Sequence, residues 1–348
     1  MRILTTLPQD DLAEVPAAAR AAEAAGYDGL VTSENKNDPF LPLGVAAVNT
    51  TRLALCTGIA IAFSRSPMAV ANASWDLQVA SRGRFVLGLG SQVRAHNENR
   101  FSAPWSAPAP RMREYVEALR AIWRCWETGE KLAYQGRHYR FTLMTPNFTP
   151  RSTGQPMVPV TIAAVGPAML KLAGRLGDGV RLHGFCTRRY LDEVVMRELS
   201  AGMAESGRAR EHFEISGGGF VATGPDEESV ARMVEWVRYR VAFYASTPAY
   251  WPVLEVHGLQ DLGRKLNVMS KAGQWDAMAG EISDDVVRLF AAVGTHRELA
   301  REVERRFAGV SDAVALSGGY GVRQDIPAEL IQDIRRIPSA FAGYRAIW

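Results

Sequence analysis

The sequence predicts a parallel (β/α)8 barrel, an α/β TIM barrel with insertions, and three features carry that prediction. Short β-rich runs alternate with helix-length amphipathic segments almost from end to end, the pattern of βα units rather than hairpins. Eight runs can be placed, at Arg2–Leu7, Gly29–Ser33, Leu53–Phe63, Phe85–Gly90, Val158–Ala164, Gly179–His183, Phe213–Ala222 and Asp312–Leu316, and eight is the barrel number. An open doubly wound sheet shares the alternation but needs a glycine fingerprint after its first strand. Here Leu7-Pro8-Gln9-Asp10 stands there, and Gly88-Leu89-Gly90-Ser91-Gln92-Val93 lacks the third glycine.

The helices between the strands carry their own punctuation. Ala25-Gly26-Tyr27-Asp28-Gly29-Leu30 and Leu176-Gly177-Asp178-Gly179-Val180 echo one another, each a helix that ends on glycine before a strand. Ser66 and Pro67 suit an N-cap and first helical position, Met68, Ala71, Trp75 and Val79 keep one face, and Gly83 closes the helix. From Arg111, the residues Met112, Tyr115, Val116, Leu119, Ile122, Trp123 and Trp126 hold helical spacing until Gly129 stops them. Gly224-Pro225-Asp226-Glu227-Glu228 opens a later helix, and Thr295 with Glu298 forms a capping box for another. Two stretches exceed the minimal plan: Lys131–Pro159, read as a hairpin turning at Gln135-Gly136 plus a proline-rich loop, and Ala245–Asp285, with a helix over Leu259–Ala272. The expected organisation is therefore one domain over residues 1–348, with insertions at about 131–159 and 245–285.

Composition excludes several classes of function. With 47% hydrophobic and 22% charged residues, the 348-residue chain buries a large core and is not disordered. The N-terminus turns polar at Pro8-Gln9-Asp10, too early for a signal peptide, and no apolar run approaches a membrane span, so neither export nor a membrane partner is expected. Cys56, Cys125 and Cys186 form no CxxC pair and suit reduced, buried thiols in a cytoplasmic protein. A net charge of +3 is mild and its lysines and arginines are scattered among acids, which argues against nucleic acid. The histidines show no HExxH or i,i+4 pairing for zinc, and no GxSxG elbow or P-loop is present.

In a parallel barrel the chemistry comes from the C-terminal ends of the strands. Four segments qualify: Ser33 to Asp38, Thr57 to Ser66, Gly88 to Arg100 and Ala163 to Met169. Gly58 interrupts an apolar strand, as a bulge or a close backbone approach does, although a core strand also tolerates a glycine. Gly88 and Gly90 end the next strand and leave room above the barrel, with His96 beyond them as a proton donor or a merely structural loop residue. Gly166-Pro167 begins a helix whose free amides and dipole suit a phosphate, or simply make an ordinary turn.

Together these segments resemble the luciferase-like family of flavin and deazaflavin oxidoreductases, and within it the probable F420-dependent subgroup. The likeness is carried by Asp38-Pro39-Phe40-Leu41-Pro42-Leu43, Ser66-Pro67-Met68, Trp75-Asp76-Leu77-Gln78, Gly83 through Gln92, Arg111 through Tyr115, Ala163 through Pro167 and Phe243 through Tyr250. The resemblance implies a ring lying at the barrel mouth against a bulge at Gly58, Ile59 and Ala60, often with a non-proline cis peptide. It further implies Ser91, Gln92 and Val93 along the ring or ribityl chain, and the cofactor phosphate near Ala164, Val165, Gly166, Ala168 and Met169, where Pro167 offers no amide. F420-dependent alcohol and sugar-phosphate dehydrogenases of this fold resemble one another in a histidine after the second strand and a glutamate after the fourth. Asn37 and Val93 stand in those neighbourhoods here, which leaves His96, Glu34 and His183 as the titratable candidates, His96 first as proton donor.

The expected function is hydride transfer between coenzyme F420 and a small organic substrate. The alternatives are an FMNH2-dependent luciferase-like monooxygenase and a non-catalytic flavin-binding barrel. A homodimer is the expected assembly.

Overall fold

The computed structural model describes residues 1–316 and 326–345. Eight parallel strands close on themselves: β1 (Arg2–Thr6), β2 (Gly29–Thr32), β3 (Ala54–Thr57, continued as Ala60–Ile61), β4 (Phe85–Gly90), β5 (Val160–Ala164), β6 (Gly179–Leu182), β7 (Glu214–Gly217) and β8 (Ala313–Ala315). Each pairs with its sequence neighbour, and β8 pairs with β1, with Arg2 opposite Ala313 and Leu4 opposite Ala315. Both faces of such a sheet are covered, so the strands are largely buried; all six residues of Phe85–Gly90 are buried.

The punctuation works as the sequence implies. Ser66 accepts a hydrogen bond from the Met68 N–H at 3.3 Å and opens the helix Pro67–Ala80, a cap worth about 1 kcal/mol. The helix Pro108–Thr128 turns Met112, Tyr115, Val116, Leu119, Ile122 and Trp123 into the core and ends on Gly129 at φ 76°. Asp226 caps Glu227–Ala245 through the Ser229 N–H at 2.8 Å. The Glu298 carboxylate accepts from both the N–H and the hydroxyl of Thr295 before the helix Leu299–Phe307. The hairpin pairs Tyr134 and Gln135 with Phe141 and Arg140, and the later insertion holds the helix Gln260–Lys271.

Two expected strands are not continuous. The run Leu53–Phe63 breaks at a cis Gly58–Ile59 bond. The run Phe213–Ala222 breaks at Gly217-Gly218-Gly219, where φ values of 84° and 102° at the first two are left-handed. Beyond the glycines, Phe220–Gly224 leaves the barrel and pairs in parallel with Ala291–Thr295, a strand that periodicity did not reveal. Its Ala-Ala-Val-Gly-Thr sequence is short and small, and directly follows the helix Asp284–Phe290.

At the N-terminal end of the barrel one device appears three times. Asp28, Asp178 and Asp312 each stand immediately before an even-numbered strand. Their carboxylates accept from the backbone N–H of Ile3, Val160 and Ile215 at 2.8, 2.8 and 2.7 Å. The N–H groups of the same aspartates donate to the carbonyls of those same residues. The two-residue echo in the sequence is thus part of a threefold latch that satisfies strand-end amides. Arginines complete it: Arg335 on Asp28, Arg120 and Arg208 on Asp178, and Arg210 on Asp312, all within 3.0 Å.

Candidate active site at the C-terminal mouth of the barrel

The bulge of the third strand is fastened to the end of the second. The Gly58 N–H donates to the Thr32 carbonyl at 2.7 Å, and the Ser33 hydroxyl donates to the Gly58 carbonyl at 2.8 Å. The Glu34 N–H meets the Ile59 carbonyl at 3.1 Å, and its carboxylate accepts from the Ile61 N–H at 2.7 Å. Arg65 grips both Glu34 oxygens at 2.5 Å and reaches Asp38 at 2.9 Å. Glu34 is buried and fully engaged, so its geometry suits holding the bulge in shape. Arg65 was not among the expected site residues; only its place two residues before Pro67 marked it.

The two glycines of β4 serve the protein rather than an open ligand space. A Cβ on Gly90 would lie 2.7 Å from the Ile59 side chain, and one on Gly88 would lie 2.0 Å from the Thr57 carbonyl and 2.9 Å from Nε of Arg181. Beyond them Gln92 has φ 56° and turns its side-chain oxygen onto the Val93 N–H at 2.8 Å. Buried Asn97 donates to the carbonyls of Ser91 and Val93 at 2.9 and 3.1 Å, which fixes this loop. Nothing in the sequence distinguished Asn97 from its solvent-facing neighbours in the helix Arg94–Asn99.

After β5, Ala164 and Val165 lead to Gly166, the N-cap of Pro167–Leu176. Among the described residues no side chain caps this helix, so the amides of Ala168 and Met169 lack a side-chain acceptor there, and a Cβ on Gly166 would meet none of their atoms within 4 Å. The Val165 carbonyl is held by the Tyr190 hydroxyl at 2.9 Å.

The two histidines occupy contrasting settings. His96 lies on the exposed face of Arg94–Asn99, and its ring makes no hydrogen bond among the described residues. His183, at the end of β6, is half-buried against Tyr244 and Tyr250, with ring centroids 4.2 and 5.0 Å away. Its Nδ1 accepts from the Phe185 N–H at 2.9 Å, which leaves Nε2 as the proton-bearing nitrogen. Burial, helped by the Arg240 cation, pushes its pKa down to about 4.

The strand-end residues of β2 to β6 thus share one end of the barrel: Glu34, Gly58 to Ala60, Ser91 to Val93, Ala164 to Met169 and His183. Asn37 turns away, donating to the Gln9 carbonyl at 2.6 Å and to Asp10 at 3.0 Å. Cys56, Cys125 and Cys186 are buried free thiols, and no described helix is long and apolar enough to cross a membrane.

Known proteins place this architecture. The profile of the family described as luciferase-like monooxygenase matches residues 2–312. A Mycobacterium tuberculosis protein of uncharacterised function is 47% identical over 327 residues, which is 94% of this chain and 96% of that one. The 5,10-methylenetetrahydromethanopterin reductase of Archaeoglobus fulgidus is 29% identical over 305 residues, 85% of this chain and 87% of that one. The structure of the coenzyme F420 dependent tetrahydromethanopterin reductase of Methanopyrus kandleri superposes with a TM-score of 0.75 at 21% identity, covering 97% of both chains.

Proposed function

The chain belongs to the luciferase-like monooxygenase family, whose members are F420- or flavin-dependent oxidoreductases, and from that membership we propose that it moves a hydride between coenzyme F420 and a small organic substrate. The observation that carries this reading is the bulge at Gly58 to Ala60, held at the mouth by Thr32, Ser33 and Glu34. The likeness of the whole chain to methanopterin reductases favours the deazaflavin over FMN.

The residues present fit such a group. The missing side chain of Gly58 makes room for Val31, so that the bulge can form, and uncapped amides at Ala168 and Met169 beside the open Gly166 suit a phosphate. When bound, the cofactor supplies the two-electron chemistry. The chain's own residues do the rest. Glu34 and Arg65 keep the bulge in place, and Asn97 keeps Ser91, Gln92 and Val93 in register. His96, open to solvent, serves as proton donor, while His183, neutral near pH 7, offers a hydrogen bond from Nε2.

A second reading, an FMNH2-dependent monooxygenase, is favoured by the family's description. Titrating the purified protein separately with F420 and FMN, and following fluorescence quenching, separates the two. Tighter binding of F420 is expected; micromolar binding of FMN with none of F420 would replace the first reading by the second.

A further inference from the structure

β6 reads Gly-Val-Arg-Leu, and its arginine points into the barrel. Arg181 is only 8% exposed. Its Nε donates to the Thr161 hydroxyl at 3.1 Å and Nη1 to the Ser216 hydroxyl at 3.4 Å, both neutral acceptors, while Nη2 has no hydrogen-bond partner among the described residues. The Cys56 thiol lies beside it, and burial pushes that thiol's pKa up, so it stays neutral. The carboxylate whose charge Arg181 feels is Glu214, and Glu214 is already engaged by Arg2 at 2.5 Å and by the Tyr344 hydroxyl at 2.6 Å. Arg2 and Arg181 therefore share Glu214, while Asp28, which also acts on Arg2, is itself engaged by Arg335.

The aliphatic stem of Arg181 passes beside the bulge, and its guanidinium lies beyond, between Thr161 and Ser216 of the neighbouring strands. The stem of Arg181 fills the space left by Gly88, and its Cδ lies 4.0 Å from where a Cβ on Gly58 would be. A buried cation that must share its counter-ion costs stability and casts a field that low dielectric screens weakly. Uptake of a hydride, two electrons and one proton, adds one negative charge to a flavin-type ring, while the substrate that gives the hydride is oxidised by two electrons.

We infer that Arg181 is a positioning charge beneath the ring site, which favours the reduced, more negative form of the ring held at the Gly58 to Ala60 bulge. The inference rests on the functional reading above. It assigns a role to a residue that touches neither substrate nor ring, through its field alone.

Two substitutions remove the surplus charge by opposite routes. Arg181→Met deletes the cation; Ser216→Asp leaves it and places a carboxylate within reach of Nη1. The midpoint potential of the bound cofactor, F420 or FMN, is measured in each by equilibration with a reference dye. Both variants are expected to lower the reduced-to-oxidised ratio at fixed potential about tenfold, which is about 30 mV for a two-electron couple. Arg181→Lys should keep the wild-type potential. Cofactor-free Arg181→Met should melt no lower than the wild type, since a buried charge has been replaced by a well-packed apolar chain. If Arg181→Met does not fold, Ser216→Asp decides by itself. An unchanged potential in a folded, cofactor-binding neutralised variant, or an equal shift in Arg181→Lys, overturns the inference and leaves the functional reading standing. A wild-type chain that binds neither cofactor overturns both.

Discussion

The two ends of the barrel solve opposite problems with similar residues. At the N-terminal end, Asp28, Asp178 and Asp312 each bond the backbone amide of the preceding strand and an arginine, and Tyr344 reaches in from the C-terminal segment to Glu214. Every one of these carboxylates has a cationic partner, and Asp178 has two. At the C-terminal end, the carboxylate of Glu34 holds one bulge, while the amides of Ala168 and Met169 and the ring of His96 have no side-chain partner among the described residues. The lesson is that the closed end is built for stability, and the open end leaves donors without a side-chain partner among the described residues.

The contrast can be broken most directly from the closed end. Asp178→Ala would leave the Val160 amide and two arginines without their acceptor, and should cost about 3 kcal/mol in urea unfolding. Cofactor affinity per folded molecule should stay near wild type; a large loss of affinity in the folded fraction would show that the two ends are coupled.

At the open end the stability effect should vanish and the functional one appear. His96→Gln is expected to lower turnover about a hundredfold, the usual contribution of a general acid, with much less effect on cofactor affinity. Weaker binding with turnover preserved at saturation would move the proton donor elsewhere. Gly166→Glu places volume and negative charge beside the Ala168 and Met169 amides, where a Cβ meets no atom of the described residues within 4 Å. It should weaken cofactor binding at least tenfold, about 1.4 kcal/mol, with an unchanged melting temperature, whereas Val165→Ala should do little. Near-wild-type affinity in folded Gly166→Glu would remove the phosphate from this loop.

The smallest effect sharpens the comparison through pH. His183 titrates near 4 in the folded protein and near 6.5 when unfolded, so the unfolded chain binds the extra proton first. Its contribution to stability is therefore complete above about pH 6.5 and is lost as pH falls toward 4. In His183→Gln that part of the slope should disappear. A ring resonance of His183 that titrates near pH 6.5 in the folded protein would contradict the buried, neutral assignment.

Much of this was legible in the sequence because it is encoded locally. Phe85–Gly90 reads as a buried strand from its composition, and Ser66-Pro67 reads as a helix start from the chemistry of the cap. The second aspartate echo, at Asp178, pointed to repeated αβ units. Three consecutive glycines at Gly217, Gly218 and Gly219 carried a signal for the break in the seventh run, which strand periodicity overrode. Arg181 was visible as a charge inside an apolar strand, yet nothing in the chain order says that its neighbours would be neutral hydroxyls.

What the sequence determined by itself is the alternation of strands and helices, their caps, and the end of the barrel at which polar groups gather, since each depends on residues within one or two turns of chain. Which polar groups are engaged was decided only by tertiary structure. Glu34 meets Arg65 and Ile61, Asp178 meets Arg120 and Arg208, and Arg181 meets Thr161 and Ser216 across separate strands and helices. Partnership, burial and the resulting charge balance are properties of space rather than of order along the chain, so barrel closure alone separated the spent carboxylate at Glu34 from the open ring of His96 and the neutral one of His183.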